Sequence, residues 1–244
     1  MSALGIIGSS SMDDLPGFKQ SRASNESTPY GDPSSRLAHG QLYGKPVIFL
    51  ARHGDGQSIA PHLINYRANL WALQYAGVER VLAVNAVGGI GERCVSGSLV
   101  IPDDLIDYTH GREQTFFDGA GQDLRHVEFS PPYDEELRQR LCAASSAARI
   151  GIIPDGIHGV VQGPRLETAA EIKRLKRDGC AIVGMTGMPE AVLAREIGVA
   201  YACCGIVVNQ AAGIGSGSIH MEIEATKAEG IAVFMQLLRQ FLAG

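Results

Sequence analysis

AIVGMTGMPEAVLAREIGVAYACCGIVVNQAAG, residues 181–213, reads as strand, glycine turn, helix, strand and a second glycine turn. Ala181–Gly184 and Tyr201–Val208 are short, apolar and rich in β-branched residues, as buried strands are. Between them Pro189–Glu196 has the pattern of a helix, with Pro189 in the first turn, where its missing N–H costs nothing. A chain that alternates in this way folds in α/β layers.

The same alternation extends in both directions. Ala3–Ile7, Pro46–Leu50, Val81–Asn85, Ser98–Ile101 and Gly159–Gln162 are further strand candidates. Asn65–Gln74, Asp134–Ala148, Glu167–Arg177 and Glu222–Leu242 are helix candidates, and in the last of them Ile231, Phe234, Leu238, Phe241 and Leu242 share one face. Residues 17–40, rich in Ser, Pro and Asn, and residues 118–132 read as loops. Neither an internal repeat nor a low-complexity linker divides the chain. The expected fold is therefore α/β, a single domain over residues 1–244 with a central mixed β-sheet flanked by helices.

The composition narrows the function. A chain of 244 residues, 45% hydrophobic and 19% charged, is neither disordered nor a solvated coiled coil. Its net charge of −5 argues against general attraction to nucleic acid or to an anionic membrane. Five cysteines without CxxC spacing suggest neither a disulfide framework nor a zinc site, and fit a reducing cytoplasm. The seven histidines never fall at HExxH or other short ligand spacing, so no metal is expected. No uninterrupted stretch of 18 apolar residues occurs, and the first residues lack the basic start of an export signal. Glycine stands out at 30 residues, about 12% against a usual ~7%, with no Gly-X-Y period.

Much of that glycine sits at strand ends. GIIGSSSMDD (5–14) runs from a strand into a Gly/Ser turn whose N–H groups and hydroxyls can converge on an anion, although the same pattern also makes a plain turn. ARHG (51–54) sets Arg52 and His53 after the strand PVIFL, as a phosphate clamp or as an ordinary surface pair. NAVGGI (85–90) and GMTGMPEA (184–191) repeat the strand-to-glycine-turn pattern, the latter with the Thr186 hydroxyl. In GPRLET (163–168) and VVNQAAG (207–213), Glu167 and Asn209 are polar groups at strand ends. Taken alone, Glu167 is better explained as a first-turn charge stabilised by the helix dipole. Dinucleotide-binding GxGxxG, a Walker lysine and GxSxG are all missing.

In their order, GIIGSSS, STPYGDPS, ARHG, INYRANLWAL, NAVGGI, GPRLETAAEI, GMTGMPEAVLARE and VVNQAAG resemble the trimeric purine nucleoside phosphorylase and 5′-methylthioadenosine phosphorylase family across roughly the whole chain. Within it the likeness is greatest to the bacterial S-methyl-5′-thioinosine phosphorylase group. The resemblance implies a cytoplasmic homotrimer that uses inorganic phosphate as co-substrate, with no cofactor, to release a purine base and a sugar 1-phosphate. It implies a phosphate site at Ser10, Arg52, His53, Asn85, Ala86 and Thr186. Met185 matches the ribose contact, Leu166 and Ala211 line the substrate, and Asn209 and Glu167 are the groups that act on the base. Members that take 6-aminopurines usually carry Asp at the Asn209 position. The amide here, with Glu167 to accept from N1–H, implies a 6-oxopurine.

Departures from the family pattern bear on the 5′ end of the substrate. Ser10 stands where Thr is common, Asp55-Gly56-Gln57 replaces a basic run, and Leu166 replaces a stacking aromatic residue. His220 lies near the position that meets the 5′ substituent, which is histidine in ordinary purine nucleoside phosphorylases. His126 matches a residue that reaches a neighbouring subunit's 5′ pocket in the methylthio enzymes. The favoured expectation is phosphorolysis of a 5′-methylthio nucleoside, S-methyl-5′-thioinosine before methylthioadenosine. The alternatives are phosphorolysis of inosine or guanosine, and a purine-nucleoside-binding protein without catalysis.

Overall fold

A computed structural model describes residues 2–8, 15–119, 124–215 and 218–244. Among them, eleven strands form one mixed sheet. They are β1 (Leu4–Gly8), β2 (Phe18–Ser24), β3 (Leu37–Leu42), β4 (Lys45–Ala51), β5 (Arg80–Gly89), β6 (Leu99–Val100), β7 (Asp104–Asp107), β8 (Ile152–Ile153), β9 (Ile157–Val160), β10 (Cys180–Gly184) and β11 (Ala200–Gln210). The helices are α1 (Tyr66–Tyr75), α2 (Glu135–Ala148), α3 (Ala169–Arg177), α4 (Gly187–Glu196) and α5 (Ile219–Ala243).

The central strands β1, β4 and β5 are apolar on both faces, so consecutive residues feed two separate cores. Val81 and Ala83 of β5 join Ile7, Ile48 and Leu50 under Leu70, Leu73 and Leu193 of α1 and α4. Leu82 and Val84 join Ile6, Phe49 and Ile206 under Leu141, Phe234, Leu238 and Phe241 of α2 and α5. Each such leucine or phenylalanine contributes about 1.5–3 kcal/mol. Local signals agree with this packing. Asn65, Asp134 and Thr168 cap α1, α2 and α3 through their side chains, and Thr168 with Glu171 completes a capping box.

Two readings of the sequence need correction. Residues 17–40, expected to be a loop, contain β2 and most of β3, which pair as an antiparallel hairpin at the sheet edge. Since β2 is almost wholly exposed, no alternation of apolar and polar residues marks it. NAVGG is not a turn either, because β5 continues through Gly89. Absence of a side chain makes that possible: a Cβ on Gly89 would lie 1.9 Å from the Cys94 carbonyl oxygen.

Strand β5 organises the sheet around it. Parallel β11 covers one edge from Arg80 to Gly89, with a bulge between Val207 and Asn209. On the other edge β1 pairs as far as Ala83 and antiparallel β10 begins at Gly88. Between them, no strand among the described residues lies beside residues 84–87 of β5 on that edge. Ala86, the one exposed residue of β5, lies in this gap.

Candidate active site

The gap is filled by polar side chains from three motifs. Arg52 follows β4 directly, and its backbone N–H donates to the Gly8 carbonyl at 2.8 Å. Its guanidinium is buried, donating to the Val84 carbonyl (3.1 Å), to Asn85 Oδ1 (3.2 Å) and to both carboxylate oxygens of Glu190 (2.5 and 2.9 Å). Of five N–H groups, one on Nη1 is left without a protein acceptor among the described residues. Glu190 is fully buried and also accepts from the Tyr201 hydroxyl at 2.9 Å. Burial works against the Arg52 charge, but the Glu190 carboxylate more than offsets it and holds the group above the ordinary arginine range.

Thr186 reaches the same place by register. Ile182 of β10 lies opposite Gly89 and Val183 opposite Gly88; carrying that antiparallel pairing onward sets Thr186 opposite Asn85. Asn85 Nδ2 donates to Thr186 Oγ1 at 3.0 Å, so the threonine hydroxyl keeps its own hydrogen for another acceptor. His53, half-buried, places Nδ1 2.9 Å from the Ile59 carbonyl. A carbonyl only accepts, so Nδ1 carries the proton and Nε2 of the neutral ring presents a lone pair. Burial and the Arg52 charge lower the His53 pKa, against the opposing effect of the Ile59 bond.

A second group of side chains lies further along β5. Asn209 is buried at the end of β11, opposite Gly88, and its Nδ2 donates to the Gln210 carbonyl at 2.8 Å. A Cβ on Gly88 would stand 3.5 Å from both Asn209 Nδ2 and the buried Ala211, which places the amide against this part of β5. The GPRLET turn is adjacent, since a Cβ on Gly163 would meet Met185 Sδ at 2.5 Å and one on Gly213 would meet Ala169 Cβ at 2.7 Å. Glu167 and Gly163 help line a cavity of about 400 Å³ with Tyr108, Gln162 and Arg165. Burial pushes the Glu167 carboxyl above the ordinary glutamate range. Leu166 is exposed at this turn.

Thus Arg52, Asn85, Ala86 and Thr186 come together, with His53 next to Arg52, while Met185, Glu167, Ala211 and Asn209 continue the line along the sheet. His126 is exposed on the loop before α2. His220 is exposed in the first turn of α5, where nearby Glu222 accepts from the Gln210 N–H at 3.2 Å. Ser10 lies outside the described residues. Glu190 and Arg112 were not read from the sequence. Glu190 is an acidic residue in the first turn of α4, and its burial against an arginine 138 residues away distinguishes it.

Comparison with known proteins agrees with this geometry. The profile of the Phosphorylase superfamily matches residues 3–243. A probable S-methyl-5′-thioinosine phosphorylase of Pseudomonas syringae pv. tomato is 48% identical over 244 residues, covering all of this chain and 99% of its own. The 6-oxopurine nucleoside phosphorylase of Pyrococcus furiosus is 42% identical over 229 residues, 91% of this chain and 85% of its own. A crystal structure of a mutant adenosine/methylthioadenosine phosphorylase from Schistosoma mansoni, in complex with methylthioadenosine, superposes with a TM-score of 0.92 at 32% identity, covering 100% of this chain and 91% of that one. With sequence profile, full-length relatives and fold in accord, the chain belongs to the phosphorylase superfamily.

Proposed function

We propose that the chain catalyses phosphorolysis of a 5′-methylthio purine nucleoside, with S-methyl-5′-thioinosine preferred over methylthioadenosine, giving the free base and 5-methylthioribose 1-phosphate. The observation that carries this reading is the break beside β5, where Arg52, Asn85 and Thr186 converge next to exposed Ala86. Phosphate binds there through the remaining Arg52 Nη1 hydrogen, the Thr186 hydroxyl and the backbone at Asn85 and Ala86, with Ser10 from the preceding turn and His53 Nε2 accepting from a protonated phosphate oxygen.

Cleavage of the glycosidic bond builds positive charge on the anomeric carbon and negative charge on the departing purine. A site for it holds phosphate beneath the sugar and hydrogen-bond donors at the base. Met185 packs on the ribose, and Leu166 and Ala211 supply apolar contact. Asn209 donates to N7 and meets O6, since an amide both donates and accepts. Glu167, its carboxylate drawn into a partly buried site, accepts from N1–H of a 6-oxopurine. No step needs a cofactor or metal.

Full-length identity to the S-methyl-5′-thioinosine enzyme favours the 5′-methylthio substrate. His220 favours a second reading, phosphorolysis of inosine or guanosine, because an imidazole on the first turn of α5 can hydrogen-bond a 5′-hydroxyl. In that case His220→Ala damages inosine turnover far more than methylthioinosine turnover. The assembly proposed is a homotrimer in which His126 serves a neighbouring 5′ pocket. Five free thiols suit the cytoplasm. The reading is tested by incubating the protein with S-methyl-5′-thioinosine with and without inorganic phosphate. Hypoxanthine release only with phosphate is the expected result, and no release in either case overturns it.

A further inference from the structure

Arginines around the site differ in how their charge is met. Arg52 is paired with Glu190, Arg165 with Glu171 at 2.7 Å, and Arg174 with Asp178 at 3.7 Å. Among the described residues Arg112 makes no ion pair, although the Asp107 and Glu190 carboxylates act on its charge from further away. Half-buried on the loop after β7, it makes all its hydrogen bonds to neutral oxygens: the carbonyls of Met185 (2.9 Å), Met188 (2.5 Å), Gln162 (2.8 Å) and Val161 (3.4 Å), the Gln162 side-chain oxygen (3.3 Å) and the Tyr66 hydroxyl (3.2 Å). Carbonyl dipoles stabilise a cation without cancelling its charge.

Its position matters as much as its charge. Nη1 spans the turn at residues 185–188 by bonding the carbonyls on either side of Thr186 and Gly187, while Nη2 bonds the carbonyl just before Gly163. One planar fork thereby fixes the Thr186 turn and the start of GPRLET relative to each other. The Arg52–Glu190 pair carries no net charge, and the His53 pKa is lowered.

We propose that Arg112 is a source of positive charge for the phosphate site, so that phosphate affinity depends on a residue that need not touch phosphate. Arg52 then gives direction through a hydrogen bond, and Arg112 supplies the field. This rests on the phosphorolysis reading.

The experiment compares Arg112→Gln and Arg112→Lys with the unaltered enzyme, measuring KM for phosphate and KM for the nucleoside separately. Loss of the charge in Arg112→Gln is expected to raise phosphate KM about ten-fold or more while nucleoside KM stays within about three-fold. Arg112→Lys, which keeps the charge and loses the fork, is expected to return phosphate KM to within about three-fold of the parent. A merely structural clamp would raise both KM values together or leave Lys as impaired as Gln, and either result overturns the proposal. So does a rise in phosphate KM of less than about three-fold in Arg112→Gln. Should that variant not fold, Arg112→Lys decides alone: a phosphate KM within about three-fold of the parent supports the proposal and a larger rise overturns it. No phosphate-dependent base release by the unaltered enzyme would instead sink the phosphorolysis reading.

Discussion

Arg52 and Glu190 form a bidentate ion pair closed off from solvent, with Nε 2.5 Å from Oε1 and Nη2 2.9 Å from Oε2. The pair locks the chain after β4 to the first turn of α4, and with it the relation between Arg52 and Thr186. It also spends most of the guanidinium fork inside the protein, leaving little of it for a ligand.

Glu190→Gln tests the importance of the pair. The substitution keeps the shape but leaves a buried arginine without its counter-charge and the Tyr201 hydroxyl with a weaker acceptor. Removing one partner of a buried pair costs about 3–5 kcal/mol. An unfolding free energy lowered by that amount in denaturant titration is expected, and an unchanged value would show that water reaches Arg52.

In the proposed reading Asn209 and Glu167 decide the base. Replacing Asn209 by Asp supplies an acceptor for a 6-amino group, and the ratio of kcat/KM for methylthioinosine over methylthioadenosine is expected to fall by about ten-fold or more, the scale of one mismatched buried hydrogen bond. Glu167→Gln is expected to slow 6-oxopurine turnover by a similar factor. Because burial raises the Glu167 pKa, the ionised form that accepts from N1–H is lost as pH falls through that raised value. The acid limb of the methylthioinosine rate profile then lies above the ordinary glutamate range, and Glu167→Gln removes it. A limb that survives the substitution would assign the titration to another group.

His158 couples stability to pH. It is fully buried, its Nδ1 is 3.2 Å from the Tyr133 hydroxyl, and its pKa is lowered to about 4 by burial and by the charge of Arg52. The unfolded chain takes up the proton near 6.5, so the native state has its full advantage above that pH and loses it as pH falls towards 4. Over this window the loss approaches roughly 3 kcal/mol, at about 1.4 kcal/mol per pH unit. His158→Gln has no such group, and its stability is expected to fall less steeply between pH 6.5 and 4. Parallel curves for the two proteins would contradict this assignment.

How much of this was legible in the sequence depended on whether neighbours in the chain are neighbours in space. The buried central strands and the five helices follow from local periodicity, each expected helix overlapping an observed one. The β2–β3 hairpin was missed because it is held by backbone pairing at an exposed edge, with no apolar stripe to mark it. Arg52, Asn85, Thr186 and Asn209 could be listed from strand ends, yet their meeting place depends on β10 running antiparallel to β5, which no spacing in the chain discloses. Glu190 and Arg112 become visible only through their contacts, one by its burial and the other by partners drawn from separate turns.

The central claim is a phosphate-dependent enzyme for a 6-oxopurine 5′-methylthio nucleoside. Its most direct test is a side-by-side determination of kcat/KM for inosine, methylthioinosine, adenosine and methylthioadenosine, each with and without phosphate. The account predicts base release only when phosphate is present and the highest kcat/KM for methylthioinosine. Release that does not depend on phosphate, or a higher kcat/KM for either adenine nucleoside, would contradict it.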